Sequence, residues 1–175
     1  MSNLNNIFID KIDGISLEDI LSKHLQFPWS DAEVAESRYS GNGLSSKDIR
    51  DASANIFTES FNNIVAEKIE PLVIEYANQN GIFELKNEGY HIVKYTEGQF
   101  FAEHTDATPE YPRRMSAIVY LNDNYEGGTI TFTNINKSFK PEENTIMIFP
   151  SSKEFSHSAD PVISGTKYAI IGFWL

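Results

Sequence analysis

The stretch Gln99-Phe100-Phe101-Ala102-Glu103-His104-Thr105-Asp106 has the composition of a β-strand. Successive side chains of a strand point to opposite faces, so His104 and Asp106 share one face with Phe100 and Ala102. A carboxylate on an apolar face is unfavourable unless it is paired or binds a metal ion. The stretch therefore predicts two neighbouring metal ligands, and a metal site would need a third ligand from elsewhere in the chain.

Bulk composition excludes several classes of protein. The chain has 175 residues, a formal net charge of −11 and no cysteine. The acidic balance argues against extended contact with nucleic acid and is most simply explained by solubility, while the lack of cysteine excludes disulfides and thiolate metal sites. The first ten residues lack the features of a signal peptide, and no apolar segment approaches membrane-spanning length. We therefore expect a cytoplasmic protein without membrane association.

The first half of the chain favours helices. Residues 7–10 are typical of a short strand, and Ser16 is a helix cap for a segment that ends near Gln26. Residues 30–50 are small and polar, which favours a plain connecting loop over a substrate lid. Apolar spacing predicts a second helix over 52–79, which Pro71 would kink or split.

After Gly81 the pattern changes to short strands separated by Gly, Asn and Pro. The predicted strands are 90–95, 99–106, 114–121, 128–133, 144–149, 153–158 and 166–174. Many short strands after leading helices predict one α+β domain over 1–175 that is mainly β, with helical support over 1–80 and a β-sandwich or barrel over 81–175.

The late strands offer a third ligand in His157. Two histidines and one carboxylate with open coordination positions form the facial triad of non-haem Fe(II) oxygenases. An HxD pair alone is a weak signal, and the distal histidine strengthens it. His91 shares a strand face with Val93 and Tyr95, and we interpret it as an ordinary strand residue near the end of the sheet.

Lys167 adds a possible anion site. It shares a strand face with Ala169, Ile171 and Phe173, and a lysine on a buried apolar face needs an anion. A dicarboxylate that also chelates the metal would supply it; the alternatives are that Lys167 reaches solvent or pairs with a carboxylate of the chain. Either Tyr120 or Tyr95 could be a core tyrosine or donate to a bound carboxylate.

The order of these motifs resembles the Fe(II)- and 2-oxoglutarate-dependent oxygenases of the prolyl 4-hydroxylase type. The resemblance covers about 89–175, and only the general helical character of the first half is similar. The matching residues are Tyr95-Thr96-Glu97-Gly98-Gln99, His104-Thr105-Asp106, Tyr120-Leu121-Asn122-Asp123, Glu126-Gly127-Gly128, His157, Pro161-Val162 and Gly165-Thr166-Lys167-Tyr168-Ala169.

The resemblance implies a double-stranded β-helix, also called a jelly roll, with helices packed on its larger sheet. It implies an iron site formed by three ligands and a site for the co-substrate 2-oxoglutarate, with O₂ as oxidant and ascorbate as an expected reductant. Iron would be held by His104, Asp106 and His157, and 2-oxoglutarate by Lys167, Tyr120 and Tyr95. Arg113 matches a family arginine that faces the substrate, although the adjacent Arg114 could take that role.

The expected reaction is hydroxylation of prolyl residues in a peptide or protein, with conversion of 2-oxoglutarate and O₂ to succinate and CO₂. The family commonly has Trp six residues after the lysine, where this chain has Phe173, and the loop over 107–112 is short. These departures leave the substrate open, so a free amino acid, lysyl residue, sugar or nucleobase is an alternative. A non-catalytic β-sandwich binding module and a zinc hydrolase are the remaining alternatives.

Overall fold

The computed structural model describes residues 2–4, 6–34 and 46–175. These residues form fifteen strands, numbered along the chain. The strands are β1 (Ser2–Leu4), β2 (Ile7–Lys11), β3 (Ser30–Asp31), β4 (Arg50–Asp51), β5 (Ser53–Ile56), β6 (Asn87–Tyr95), β7 (Phe100–His104), β8 (Met115–Tyr120), β9 (Glu126–Gly127), β10 (Ile130–Phe132), β11 (Lys137–Phe139), β12 (Thr145–Pro150), β13 (His157–Ala159), β14 (Val162–Ser164) and β15 (Lys167–Trp174).

The helices lie mostly in the first half. They are α1 (Leu17–Asp19), which continues as a π-helical turn over Ile20–His24, α2 (Ser46–Ile49) and α3 (Glu59–Gln79). The Ser16 hydroxyl caps α1 by accepting a hydrogen bond from the Asp19 backbone N–H. None of the helices described is long and apolar enough to cross a membrane.

The strands form a large and a small antiparallel sheet. The large sheet has eight strands in the order β1-β2-β12-β8-β15-β6-β5-β3, and the small one has five in the order β11-β10-β13-β7-β4. β14 and β9 pair separately. One apolar cluster contains Val93, Tyr120 and Met147 of the large sheet together with Phe101 and Phe132 of the small sheet. The two sheets therefore enclose a common core, and the fold is the predicted double-stranded β-helix.

Helix α3 covers the other face of the large sheet. Its buried side chains Phe61, Val65, Ile69 and Val73 recur every four residues, which places them on one stripe. They belong to the same apolar cluster as sheet residues such as Ile170. With this face closed by the helix, the large sheet leaves its other face for a site.

The first half departs from the helical prediction. The helix predicted over 52–79 is wrong before Glu59, because Ser53–Ile56 pairs with β6 as an edge strand. This long-range pairing outweighs the local helical spacing. Pro71 does not split α3, which is continuous through it. The centre of the loop predicted over 30–50 lies outside the described residues, and its ends contribute β3, α2 and β4.

Two strand predictions in the second half also need correction. Residues 153–158 are not one strand, because Lys153–Phe155 forms a 3-10 turn and β13 begins only at His157. β7 ends at His104, so Asp106 lies in the bend after the strand. The side chains of His104 and Asp106 still converge, because the chain turns towards β13 at that point.

Candidate metal centre and cavity

Three buried side chains converge between the sheets. His104 and His157 are direct cross-strand neighbours in the pairing of β7 with β13. Asp106 joins them from the bend, and one potential ligand atom from each residue lies within 4.8 Å of the others. His104 Nε2 is 3.4 Å from Asp106 Oδ1, and His157 Nε2 is 3.8 Å from Asp106 Oδ2. The pairing of β7 with β13 thus brings His157 next to two residues that lie 51 or more positions away in the sequence.

Both imidazoles are oriented by the backbone. His104 Nδ1 lies 2.8 Å from the Ala102 carbonyl oxygen, and His157 Nδ1 lies 3.0 Å from that of Phe155. A carbonyl can only accept, so each Nδ1 carries the proton and donates it. Each Nε2 is then left with its lone pair towards Asp106, which is the arrangement a metal ligand needs.

The protonation states suit a cation. Burial, and then the neighbouring His157, lowers the pKa of His104 to about 4, so its imidazole is neutral near pH 7. Burial alone would raise the pKa of the Asp106 carboxyl. The imidazoles of His157 and His104 and the Ser116 hydroxyl outweigh that effect and hold this pKa below its ordinary value. The cluster therefore presents the neutral imidazole of His104 and the carboxylate of Asp106 to a cation.

A pair of buried serines supports the carboxylate. Ser116 Oγ donates to Asp106 Oδ2 at 2.6 Å and lies 2.7 Å from Ser151 Oγ. Both serines are almost completely buried. No role for Ser116 or Ser151 was predicted from the sequence. The only available signal was a hydroxyl within an apolar strand.

These observations test whether a metal ion fits. Metal–ligand bonds of about 2.1 Å place neighbouring donors of one coordination face roughly 3 Å apart. The separations of 3.4 and 3.8 Å are close to that value. Two imidazoles and one carboxylate are the donor set of non-haem iron sites. The residues present therefore fit an Fe(II) ion.

Lys167 lies at one end of the cavity that this cluster lines. Its side chain is buried, and Nζ donates to the Gly128 carbonyl oxygen at 2.7 Å. Nζ also lies 5.6 Å from the ring centre of Tyr95 and 5.3 Å from that of Tyr120. Burial lowers the pKa of Lys167 to about 8. Gly128 has φ +60°, and a Cβ there would lie 3.3 Å from Lys167 Cδ, so the glycine makes room for the lysine.

The two tyrosines complete this end of the cavity. The hydroxyls of Tyr95 and Tyr120 have no hydrogen-bond partner among the residues described, and both side chains line the cavity. Burial raises the pKa of Tyr120 well above its usual value, so its hydroxyl keeps its proton. One ammonium and two phenol groups therefore converge where an anion can be bound.

The cavity has a volume of about 480 Å³, and its floor is the large sheet. Two rows of cross-strand neighbours cover that floor. The first contains Ala54, Val93, Ala169 and Tyr120, and the second contains Ile56, His91, Ile171 and Ile118. Lys167 pairs with Tyr95 beyond the first row.

The residues predicted to face the substrate lie at the other end. Phe173 lines the cavity, and the Arg113 guanidinium lies 3.6 Å from the centre of its ring. Arg113 also forms an ion pair with Glu88 at 2.5 Å. Arg114 donates to the Phe83 carbonyl oxygen and is not among the lining residues. Of the two adjacent arginines, the structure therefore brings Arg113 to the cavity.

The cavity contains residues that sequence reasoning missed. His91 lines it, although we interpreted this residue as an ordinary strand position. Arg50 lines it from β4, and Phe27, Asp31 and Glu33 line it from the segment before the undescribed residues. Strand alternation already placed His91 on the face of Tyr95. No sequence pattern identified the other four residues, because they lie on or near the edge strands β3 and β4.

Comparisons with known proteins agree with this geometry. Residues 90–175 match the profile of the 2OG-Fe(II) oxygenase superfamily. A protein of Acanthamoeba polyphaga mimivirus, described provisionally as a prolyl 4-hydroxylase, is 26% identical over 107 residues. That match covers 50% of this chain, and the chain spans 44% of the relative.

Several solved structures share the fold. A prolyl hydroxylase of Trichoplax adhaerens, in complex with a hypoxia inducible factor oxygen degradation domain peptide fragment, is similar with a TM-score of 0.73 and 19% identity. The similarity covers 99% of this chain and 84% of that one. The viral collagen prolyl hydroxylase of Paramecium Bursaria Chlorella virus-1, in complex with 2OG, has a TM-score of 0.64 and 21% identity over 85% of this chain and 96% of that one.

Proposed function

The chain belongs to the 2OG-Fe(II) oxygenase superfamily, and from that premise we propose that it hydroxylates prolyl residues in a peptide or protein. Residues 1–175 would act as one oxygenase domain. The reaction would consume 2-oxoglutarate and O₂ and release succinate and CO₂, with ascorbate as a supporting reductant. One observation carries the proposal, namely that a buried His-Asp-His cluster and a buried lysine line the same cavity.

The three clustered side chains would hold the metal. His104 and His157 offer Nε2 lone pairs, and the ionised Asp106 offsets part of the charge of a divalent cation. Three protein ligands leave the remaining coordination positions open for a chelating co-substrate and O₂. Bound Fe(II) supplies the activation of O₂ that couples oxidative decarboxylation of 2-oxoglutarate to hydroxylation of a C–H bond.

Lys167 would bind the carboxylate of 2-oxoglutarate that lies farther from the metal. Its ammonium is held by the Gly128 carbonyl and has an apolar surrounding, which strengthens an interaction with an anion. Tyr120 keeps its proton and would donate to the same carboxylate, with Tyr95 beside it. These side chains would fix the length and direction of the co-substrate before O₂ reacts.

The rim of the cavity favours a peptide substrate. Phe27, Ile56 and Tyr111 are each more than 40% exposed and line the cavity, so its entrance is an apolar surface. Arg113 and Phe173 lie beneath that entrance, where they would contact the residue that is oxidised. The formal net charge of −11 favours a peptide over a nucleic acid as the substrate.

A succinate assay tests the proposal. The protein is incubated with Fe(II), ascorbate and 2-oxoglutarate, with and without proline-rich peptides, and peptide oxygenation is mapped by mass spectrometry. We expect peptide-dependent succinate and a gain of one oxygen atom on proline. Asp106→Ala should abolish both, whereas Asp13→Ala, which removes an exposed carboxylate, should abolish neither. If the parent protein forms no more succinate than Asp106→Ala, the oxygenase activity is refuted. If the oxygen atom is found on another residue, the prolyl target is refuted.

A further inference from the structure

His91 is the one polar side chain in an otherwise aliphatic row on the cavity floor. Its cross-strand neighbours are Ile56 on β5 and Ile171 on β15, and Ile171 pairs in turn with Ile118. All four line the cavity. Neither ring nitrogen of His91 has a hydrogen-bond partner among the described residues. The other three members of this row are isoleucines. The His91 ring thus offers one hydrogen-bond donor and one acceptor to a molecule that binds in the cavity.

The position of His91 places it beyond the co-substrate end. Lys167 is level with Tyr95, and His91 lies four residues from Tyr95 along β6. Four residues of strand span about 13 Å. Only three carbons separate the two carboxylates of 2-oxoglutarate, so a molecule that is anchored at Lys167 and chelates the metal ends before this row. His91 therefore faces the space left for the substrate.

Arg50 brings a positive charge to the same space from the opposite sheet. Its guanidinium lies 4.6 Å from the ring centre of Phe101, and Nη1 donates to the Glu33 carbonyl oxygen at 2.9 Å. Nε is buried without a hydrogen-bond partner, and Arg50 forms no ion pair with the described residues. The Nε–H of the guanidinium consequently lacks the acceptor that such a donor normally has when it is removed from water.

Arg50 and Arg113 place positive charge near His91 although the protein is strongly acidic. Burial, and then the charges of Arg50 and Arg113, lowers the pKa of His91 to about 3, so its ring is neutral. Two carboxylates lie at the rim of the cavity. Asp31 forms an ion pair with Lys47, and the second carboxylate belongs to Glu33. Asp106 is committed to the metal centre. An anion entering from solvent would meet the Arg50 guanidinium, which forms no ion pair with the described residues, at this level of the cavity.

We propose that Arg50 and His91 form a substrate subsite that binds a carboxylate next to the carbon that is hydroxylated. Arg50 supplies the charge, and His91 supplies a neutral N–H donor from the facing sheet. The inference rests on the proposed function, because it names the chemistry of the substrate in the same cavity. The carboxylate comes either from an acidic residue adjacent to proline in a peptide or from a free carboxyl group.

Binding to the full protein with Mn(II) and 2-oxoglutarate tests the subsite without turnover. The probes are hexapeptides that differ only in Asp or Asn, placed before or after one proline, together with L-proline and L-prolinamide. We expect at least one acidic member to bind tenfold or more tightly than its amide partner. A preference in a peptide pair identifies a side-chain carboxylate, and a preference for L-proline over the amide identifies a free carboxylate. Equal binding within every pair overturns the proposal.

Variants assign the preference to the two side chains. Arg50→Gln should reduce the preference to less than twofold and His91→Leu should reduce it several-fold, whereas His91→Gln, which keeps a donor, should retain most of it. Arg114→Gln removes a positive charge outside the cavity and should leave the preference intact. Each variant should bind 2-oxoglutarate as the parent does, which shows that the cavity is folded. A full preference in Arg50→Gln overturns the assignment.

The two proposals fail differently. Absence of succinate with every substrate removes the hydroxylase function, yet the acidic preference in Mn(II)-loaded protein would still establish the subsite. Normal peptide hydroxylation with equal rates for acid and amide members would establish the function and remove the subsite.

Discussion

Ser116 connects the carboxylate of Asp106, a proposed metal ligand, to the interior of the protein. Its hydroxyl donates to Asp106 and is itself within hydrogen-bonding distance of Ser151, so the orientation of Asp106 depends on both serines. A carboxylate held in this way presents its other oxygen, Oδ1, towards His104 Nε2 without losing rotamer freedom on binding. Residues that touch no ligand can thus determine how tightly a metal is held.

Removing this hydroxyl should weaken metal binding. We expect Ser116→Ala to lower the affinity for Mn(II) by roughly 10- to 100-fold, because the support of the carboxylate is lost. Isothermal titration calorimetry under anaerobic conditions measures it, and Ser152→Ala, which removes an exposed hydroxyl nearby, is the matched control. An unchanged affinity in Ser116→Ala would show that the hydrogen bond does not position Asp106.

The lowered pKa of Lys167 predicts that 2-oxoglutarate binding depends on pH. Its pKa of about 8 lies below the ordinary lysine value of 10.5, so in the free protein the ammonium loses its proton as the pH rises through about 8. Since the carboxylate of 2-oxoglutarate requires the charged form, its affinity should be full below that pH and decline above it, by about fivefold between pH 8 and 9.

The measurement is 2-oxoglutarate binding to Mn(II)-loaded protein from pH 7 to pH 9.5. Lys167→Arg keeps its charge throughout this range and should show no such decline, even if its overall affinity is lower. The same decline in the arginine variant would assign the titration to another group.

At the scale of elements, α3 is joined to the large sheet by a carboxylate as well as by apolar packing. Glu70 accepts hydrogen bonds from Tyr90 Oη at 2.9 Å and from Trp174 Nε1 at 3.3 Å. Tyr90 lies on β6 and Trp174 on β15, and both are buried. One helical residue thereby holds the two strands that carry His91 and Lys167.

Loss of this carboxylate should destabilise the fold. We expect Glu70→Ala to lower the free energy of unfolding by about 1–3 kcal/mol, because two buried donors lose their acceptor. Urea unfolding followed by circular dichroism measures the change. Glu67→Ala on the exposed side of the same helix should change the free energy by less than about 0.5 kcal/mol. Equal effects of the two substitutions would exclude a bridging role for Glu70.

At the scale of the whole molecule, the proposed ligands bind between the two sheets and should stabilise them together. A ligand that binds only the folded state adds about 2.7 kcal/mol to the free energy of unfolding when its concentration is 100 times its dissociation constant. This corresponds to a rise of roughly 5–10 °C in Tm for a chain of this size. Mn(II) and 2-oxoglutarate should therefore raise the Tm of the parent protein in differential scanning calorimetry. Asp106→Ala should remove the effect, and a full shift in that variant would place the metal elsewhere.

The second half of the chain was largely predictable from sequence. Strand alternation located β6, β8, β12 and β15 to within a few residues, because each strand has a continuous apolar face. The order of His104, Asp106, His157 and Lys167 resembles that of the superfamily, and the structure brings all four side chains to one cavity. The long helix was wrong over 52–58, where pairing with β6 outweighs the helical spacing.

What the sequence by itself determined about this protein is its superfamily and the donor set of the proposed metal centre, since both follow from residue types and their order. Only the tertiary structure decided which further residues share the cavity. Arg50 comes from an edge strand of the small sheet and His91 from the large sheet. Local periodicity carries no information about such neighbours, because their proximity depends on strand register and on the packing of one sheet against the other.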